Sequence, residues 1–320
     1  MNSIPSIFSK NRFEYVILGN TEKKSVTEGK SIFSVLVLNR GSRHYRENLL
    51  KNLLSYGFNE IISVETSMDD YDLLEVSKKM PQIKFIVPKG NVTCGELINV
   101  GIEACENEFV LVVWNDVAIF EKSLNSKLAE LVMGENAVCI APSLKTSRMQ
   151  NFPVKMVPEM NRHDLAIRTE MGFLEGERTL YPFEFMGIYN RTKFLTLGGF
   201  DYTITQPFWQ NLDFFFRANL HGEKVIITTL LHLVYSDEIM GEVRNQNASS
   251  MRFFLKNIAP QIKNGKVGIP LSQLFRYWRK STYGFFDAVN HFKEARRWVE
   301  KNDAIFRMDF ERLIETWNSQ

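Results

Sequence analysis

Between Phe33 and Trp114 the chain alternates short apolar runs with longer stretches whose apolar residues recur every three or four positions. "FSVLVLN" (33–39), "EIISVE" (60–65), "IKFIV" (83–87) and "FVLVVW" (109–114) read as strands covered on both faces, since they lack the alternating polar positions of a half-exposed strand. "RENLLKNLLSYG" (46–57), "DDYDLLEVSKKM" (69–80) and "CGELINVGIEAC" (94–105) read as helices, the first stopped by Gly57 and the second by Pro81. Strands and helices in this alternation predict an α/β fold with a mainly parallel sheet and helices on both faces. Upstream, residues 1–30 read as a leader with one strand candidate, "FEYVILG".

Further along, a helix over 122–133 and the strand "AVCIAPS" (137–143) continue the pattern. Residues 144–182 are irregular, with Pro153, Pro158 and Pro182, and are expected to form a lid or insertion. "FEFMGIYN" (183–190) resumes as a strand, "FWQNLDFFFRANLHG" (208–222) as a helix closed by Gly222, and "KVIITTLLHLV" (224–234) as a strand. From residue 248 the chain is helical and basic, so the expected division is a leader (1–30), an α/β domain (31–247) and a C-terminal helical appendage (248–320).

Composition changes this picture little. Of 320 residues 44% are apolar and 24% charged, an ordinary globular balance, and the net charge of +2 excludes nothing. Three scattered cysteines suit neither a disulfide framework nor a zinc site. The first residues lack a signal-peptide core, and no stretch approaches the roughly 20 apolar residues that span a bilayer, so a cytoplasmic location is expected. The exception to the even charge is 252–301, with eleven Lys or Arg and three acids. Within it Leu271, Leu274, Phe275 and Trp278 share a helical face, which either packs on the domain or rests on the inner face of an anionic membrane. No recognition motif accompanies the charge, so nucleic acid is not an expected partner.

Candidate chemistry begins at the carboxyl end of the strand 109–114, where Asn115-Asp116 is either a turn or part of a ligand site. A G-x-G-x-x-G run is absent after every predicted strand, which disfavours a dinucleotide-dependent oxidoreductase. The single Gly41 in "NRGSRHYRE" disfavours a sugar-phosphate nucleotidyltransferase.

From Ser34 to Ser236 the chain resembles family 2 inverting glycosyltransferases of the GT-A fold. The resemblance rests on "SVLVLNRGSRHYRENLLKNL", "EIISVETS", "NVTCGELINVGIEACENEFVLVVWND", "LGGFD", "QNLDFFFRANLHGEKV" and "LLHLVYS", in that order. It implies a GT-A type nucleotide-diphospho-sugar transferase fold, a nucleotide-sugar donor and a glycan or lipid-linked acceptor. It also implies a divalent cation, Mg²⁺ or Mn²⁺, with Asp116 and His232 as the candidate ligands. Asn39, Glu65, Asn91, Asn99 and Asp116 are the implied nucleotide-site residues, and Trp209 with Gln210 the acceptor-side ones. Two departures fall on the chemistry: the metal motif's first acid is Trp114, and the usual acid pair before the conserved-type Asp and Arg is Gln210-Asn211. An amide cannot accept a proton at neutral pH. The base is then Asp213, two residues beyond Asn211, or an acid such as Glu170, Glu175 or Glu184. The alternative is a GT-A domain that binds nucleotide sugar or glycan without turnover. On sequence alone, Asn211→Asp is expected to restore a base.

Overall fold

The computed structural model describes residues 13–20, 32–40, 43–58, 60–66, 72–239 and 241–319. Its heart is a parallel block of four strands, β2 (Phe33–Leu38), β3 (Glu60–Val64), β4 (Lys84–Pro88) and β5 (Phe109–Trp114), in the order β4-β3-β2-β5. The helices α1 (Arg43–Ser55), α2 (Asp72–Lys79) and α3 (Cys94–Ala104) form its crossovers. β2 is buried along its whole length, as its unbroken apolar run requires. The leader strand is present as β1 (Tyr15–Gly19), antiparallel on the edge of β4; the remaining leader positions lie outside the described residues, as do 69–71 of the second predicted helix.

α3 is fixed at both its start and its face. Thr93 accepts from the Glu96 amide, and Glu96 in turn accepts from the Thr93 amide at 2.8 Å, a closed capping box. Gly101 lets the helix lie directly on β2: a Cβ there would come within 2.3 Å of Leu36. The helix start is thereby held over the carboxyl ends of the strands, beside the candidate site.

Beyond β5 the sheet becomes mixed. β6 (Val117–Ile119) follows a two-residue turn, and α4 (Ser126–Gly134) leads to β7 (Cys139–Lys145). β11 (Gly187–Asn190) inserts antiparallel between β5 and β7, with Gly187 opposite Val112. β12 (Val225–Tyr235) runs parallel to β7 and antiparallel to β6. α5 (Arg191–Thr196), unmarked by the apolar pattern, and α6 (Pro207–Leu220) lie between β11 and β12.

The segment 144–182 is more regular than its prolines imply. β8 (Asn151–Phe152) pairs with β7, and β9 (Lys155–Asn161) with β10 (Asp164–Glu170) makes a separate hairpin. Pro158 is accommodated inside β9, a tolerated place in a two-stranded ribbon with no interior strand. The C-terminal residues form α7 (Ala248–Phe253) with a continuing π-turn, the small hairpin β13 (Gln261–Lys263) and β14 (Lys266–Gly268), α8 (Ser272–Lys280), α9 (Phe285–Lys301) and α10 (Phe310–Asn318). They join the main apolar core through α6: Phe216 packs on Phe253 and Phe310 at ring distances of 5.4 and 6.1 Å.

Candidate functional site

β2 and β5 end side by side, Leu38 opposite Trp114, and the Asn115 amide closes the ladder on the Leu38 carbonyl at 2.8 Å. The residues just beyond, Arg40 and Asp116, therefore meet. The Arg40 Nε donates to Asp116 Oδ2 at 2.8 Å, while Nη1 and Nη2 donate to the two oxygens of Glu184 at 2.9 and 2.8 Å. The guanidinium also lies over the Trp114 ring, 4.4 Å from its centroid. Side-chain exposures of 31% for Arg40, 21% for Asp116 and 16% for Glu184 keep the cluster open to solvent on one side. Burial acts to lower the Arg40 pKa, but the bonds and charge of Glu184 and then of Asp116 outweigh it, so the guanidinium is held firmly charged. Tyr235 donates to Glu184 at 2.8 Å; burial and the adjacent carboxylate push its phenol up, so it remains a donor.

Glu184 is presented by a strained turn. Its φ is +47° and that of Phe185 is +65°, left-handed conformations that cost a non-glycine residue on the order of 1 kcal/mol or more. Bonds from three elements hold the turn: Trp114 Nε1 donates to the Glu184 carbonyl at 2.9 Å, the Tyr189 hydroxyl to the Phe185 carbonyl at 2.7 Å, and Asn211 Nδ2 to the Pro182 carbonyl at 2.8 Å. Trp114, in the place of the motif's first acid, thus positions the backbone that carries another acid.

The amides at 210–211 are explained by what they donate. Gln210 accepts from the Gly95 amide at 2.8 Å and donates to the Thr93 hydroxyl and the Asp201 carbonyl at 2.8 and 3.0 Å, tying α6 to the start of α3. A Glu could not make those two donations. The approach is close enough that a Cβ on Gly95 would lie 2.5 Å from the Gln210 side chain. Asn211 is 1% exposed, and its Oδ1 has no partner among the described residues. A carboxylate there would lose the donor and face the Pro182 carbonyl. The sequence expectation for Asn211→Asp is therefore reversed: the variant should lose about 1–3 kcal/mol of stability, read by thermal or denaturant unfolding, and gain no rate.

Several expected site residues are not brought to this cluster. Asp213 is fully buried, 2.8 Å from both Lys256 Nζ and Asn257 Nδ2, so an acceptor hydroxyl has no approach to it as a base. Asn99 clamps the Phe200 backbone, donating to its carbonyl and accepting from its amide at 2.9 Å each, so its buried amide is engaged in joining α3 to the segment ahead of α6. His232 sits opposite Phe120 while Asp116 sits opposite Ser236, four positions or about 13 Å away along β12. Its ring contacts the Ser143 hydroxyl and Phe120 instead. Glu170 pairs with Lys155, and Glu175 accepts from the Thr229 amide at 2.7 Å. Trp209 donates to the Asn245 carbonyl at 3.0 Å and lines a cavity of about 280 Å³ with Phe208, Leu212 and Arg244.

On the nucleotide side, Asn39 donates to the Ser63 hydroxyl and the Val64 carbonyl, both at 2.9 Å, and its Oδ1 has no partner among the described residues. Glu65 is buried and paired with Arg46 at 3.0 Å; Asn91 is exposed just ahead of α3.

A resident divalent ion does not fit this donor set. Both Asp116 oxygens face the Arg40 guanidinium, the Glu184 oxygens are taken by Arg40 and Tyr235, and an added ion would meet a fixed positive charge. Among the described residues no three His, Cys, Asp or Glu side chains converge. Arg40 and Tyr235 were invisible as site residues, because each acquires its role from partners far away in the chain.

Neither a family model nor a curated protein sequence matches the chain. Solved structures do. GalNAc-T7 with UDP, GalNAc and Mn²⁺ superposes at a TM-score of 0.61 and 9% identity, covering 90% of this chain but only 57% of that one. S. aureus TarS 1-349 with UDP-GlcNAc superposes at 0.51 and 15% identity over 86% of this chain and 73% of the other. The same protein with UDP gives 0.50 and 14% identity. With a parallel block, an antiparallel insertion at β11 and polar residues gathered where β2 and β5 end, the chain has the GT-A fold that these glycosyltransferases share.

Proposed function

We propose that the protein transfers a sugar, with inversion, from a nucleotide-sugar donor to a glycan or lipid-linked acceptor, and that Arg40 supplies the positive charge facing the donor diphosphate. The reading is carried by Arg40's place at the strand ends, held by Asp116 and Glu184 over Trp114. Ligands of open α/β sheets bind at this edge. Asn39, Glu65 and Asn91 are assigned to the nucleoside, and Trp209 to the acceptor side.

At rest two carboxylates face one guanidinium, a net charge of −1 that repels a diphosphate. Binding therefore proceeds by exchange: phosphate oxygens take the Arg40 N–H groups now given to Glu184, while the Nε bond to Asp116 keeps the guanidinium in place. A bidentate phosphate contact replaces a part-exposed ion pair, so the exchange costs about 1 kcal/mol or less. Glu184, still hydrogen-bonded by Tyr235, is then a carboxylate available to take the acceptor hydroxyl's proton. The acceptor oxygen bonds to the anomeric carbon as its bond to phosphate breaks, and the departing charge develops against Arg40.

Binding without turnover is the second reading, favoured by the structural use of Gln210, Asn211 and Asp213. Incubation with a panel of nucleotide sugars, beginning with UDP-sugars, separates the two by the nucleoside diphosphate released. Release above the rate in buffer supports transfer, binding without release supports the second reading, and absence of binding sinks both.

A further inference from the structure

α8 is clamped to the hairpin of β9 and β10 in one orientation. Arg276 donates to Asp164 at 2.7 Å, Lys280 bonds the same carboxylate, and Tyr277 is buried beneath the helix. The opposite side of the helix then carries Leu271, Phe275 and Trp278, at i, i+4 and i+7 spacing, outward. Leu271 is 65% and Phe275 61% exposed. The apolar stripe continues across the turn to α9: the Trp278 ring meets Phe285 at 5.3 Å, and Phe286 beyond it is 83% exposed. The sequence assigned this face, together with Leu274, to packing or to a membrane; Leu274 and Tyr277 pack inward, while Leu271, Phe275 and Trp278 stay exposed.

We infer that this corner is a docking surface for an anionic lipid bilayer. Charge selects the occupant. α8 has three cations and no acid, and Leu271–Lys301 carries seven cations against three acids, with Arg279, Lys293 and Arg297 exposed. An aromatic and leucine stripe rimmed by Arg and Lys is the composition of a helix lying at a headgroup boundary, its rings at the level of the glycerol and its cations among the phosphates. Among the described residues no helix is long and apolar enough to cross a membrane, so the contact is peripheral. It stands apart from the strand-end cluster and does not depend on the reading of that site.

Co-sedimentation of the full chain with vesicles tests the inference. Vesicles containing phosphatidylglycerol should carry the protein down, and phosphatidylcholine vesicles should retain about tenfold less or weaker. Phe275→Ser with Phe286→Ser should weaken binding by about tenfold or more, and Arg279→Glu, which leaves the apolar stripe intact, by several-fold. Unfolding temperatures equal to that of the native chain establish that the variants are folded; the exposed Arg279→Glu keeps the test valid if the double variant is not. Failure to sediment with anionic vesicles overturns the proposal. So does equal binding to both lipids, or a native dimer that Phe275→Ser with Phe286→Ser converts to monomer, which would make a second copy the occupant.

Discussion

Glu184→Gln is expected to lower the rate of sugar transfer by about 10²- to 10⁴-fold, or roughly 3–5 kcal/mol of barrier, while the nucleoside diphosphate binds more tightly. The two effects have one origin. Glu184 is the strand-end carboxylate bonded by both Arg40 and Tyr235, and the proposed exchange with phosphate would free it from Arg40. Its amide still accepts from Tyr235 and Arg40, so the turn should keep its shape, but it cannot take a proton. The exchange also removes one of two negative charges around Arg40, taking the local sum from −1 to zero and easing the approach of a diphosphate. Single-turnover transfer and calorimetry of UDP, made on the same sample, separate the two effects. A transfer rate equal to that of the native chain would remove Glu184 from the proposed role of base.

Lys256→Met should cost about 3–5 kcal/mol of stability, because it strands two buried carboxylates. Lys256 Nζ lies 2.9 Å from Asp201 and 2.8 Å from Asp213, and all three side chains are 1% exposed or less. Arg252 at 3.5 Å and Arg217 at 3.8 Å remain near the two acids but do not replace the lost bonds. The loss should depend on pH. Burial pushes the Asp201 carboxyl up, yet Lys256, Arg252 and the Thr203 hydroxyl outweigh it and hold the value at about 2, below the ordinary 3.8. A lowered carboxyl stabilises the fold fully above the unfolded value, and that contribution is lost as pH falls from about 4 through about 2. In Lys256→Met the carboxyl would protonate at higher pH and lose its penalty. The gap between native and variant unfolding free energies should therefore be widest near pH 7 and narrow by pH 3. A gap that does not change with pH would show that the cluster acts by packing alone.

The parallel half of the fold was legible because its strands are long apolar runs with clear stops, and α6 and β12 followed for the same reason. The hairpin of β9 and β10 was not. It is half exposed, Pro158 lies within it, and it packs on α8 and α10, contacts that no local pattern announces. The site divided similarly. Asp116 could be located from its strand, since a carboxylate directly after a buried run has few other places to be. Arg40 could not, because a lone arginine after a strand looks like any turn residue until Glu184, 144 positions later, is brought beside it by β11 pairing with β5. Gln210 and Asn211 looked like losses when compared with a motif one residue at a time. Their donated bonds to Asp201 and Pro182 give them positive reasons to be amides.

Calorimetry of UDP binding in EDTA and in excess Mn²⁺ decides whether the Arg40 guanidinium, as proposed, supplies the positive charge that faces the diphosphate. Dissociation constants for the native chain should agree within about twofold in the two buffers. Arg40→Met, which leaves Asp116 and Glu184 facing each other without their cation, should bind UDP only when Mn²⁺ is present. Native binding that appears only with Mn²⁺, or tightens by about tenfold or more on adding it, would rule out Arg40 in this role and return Asp116 to that of metal ligand.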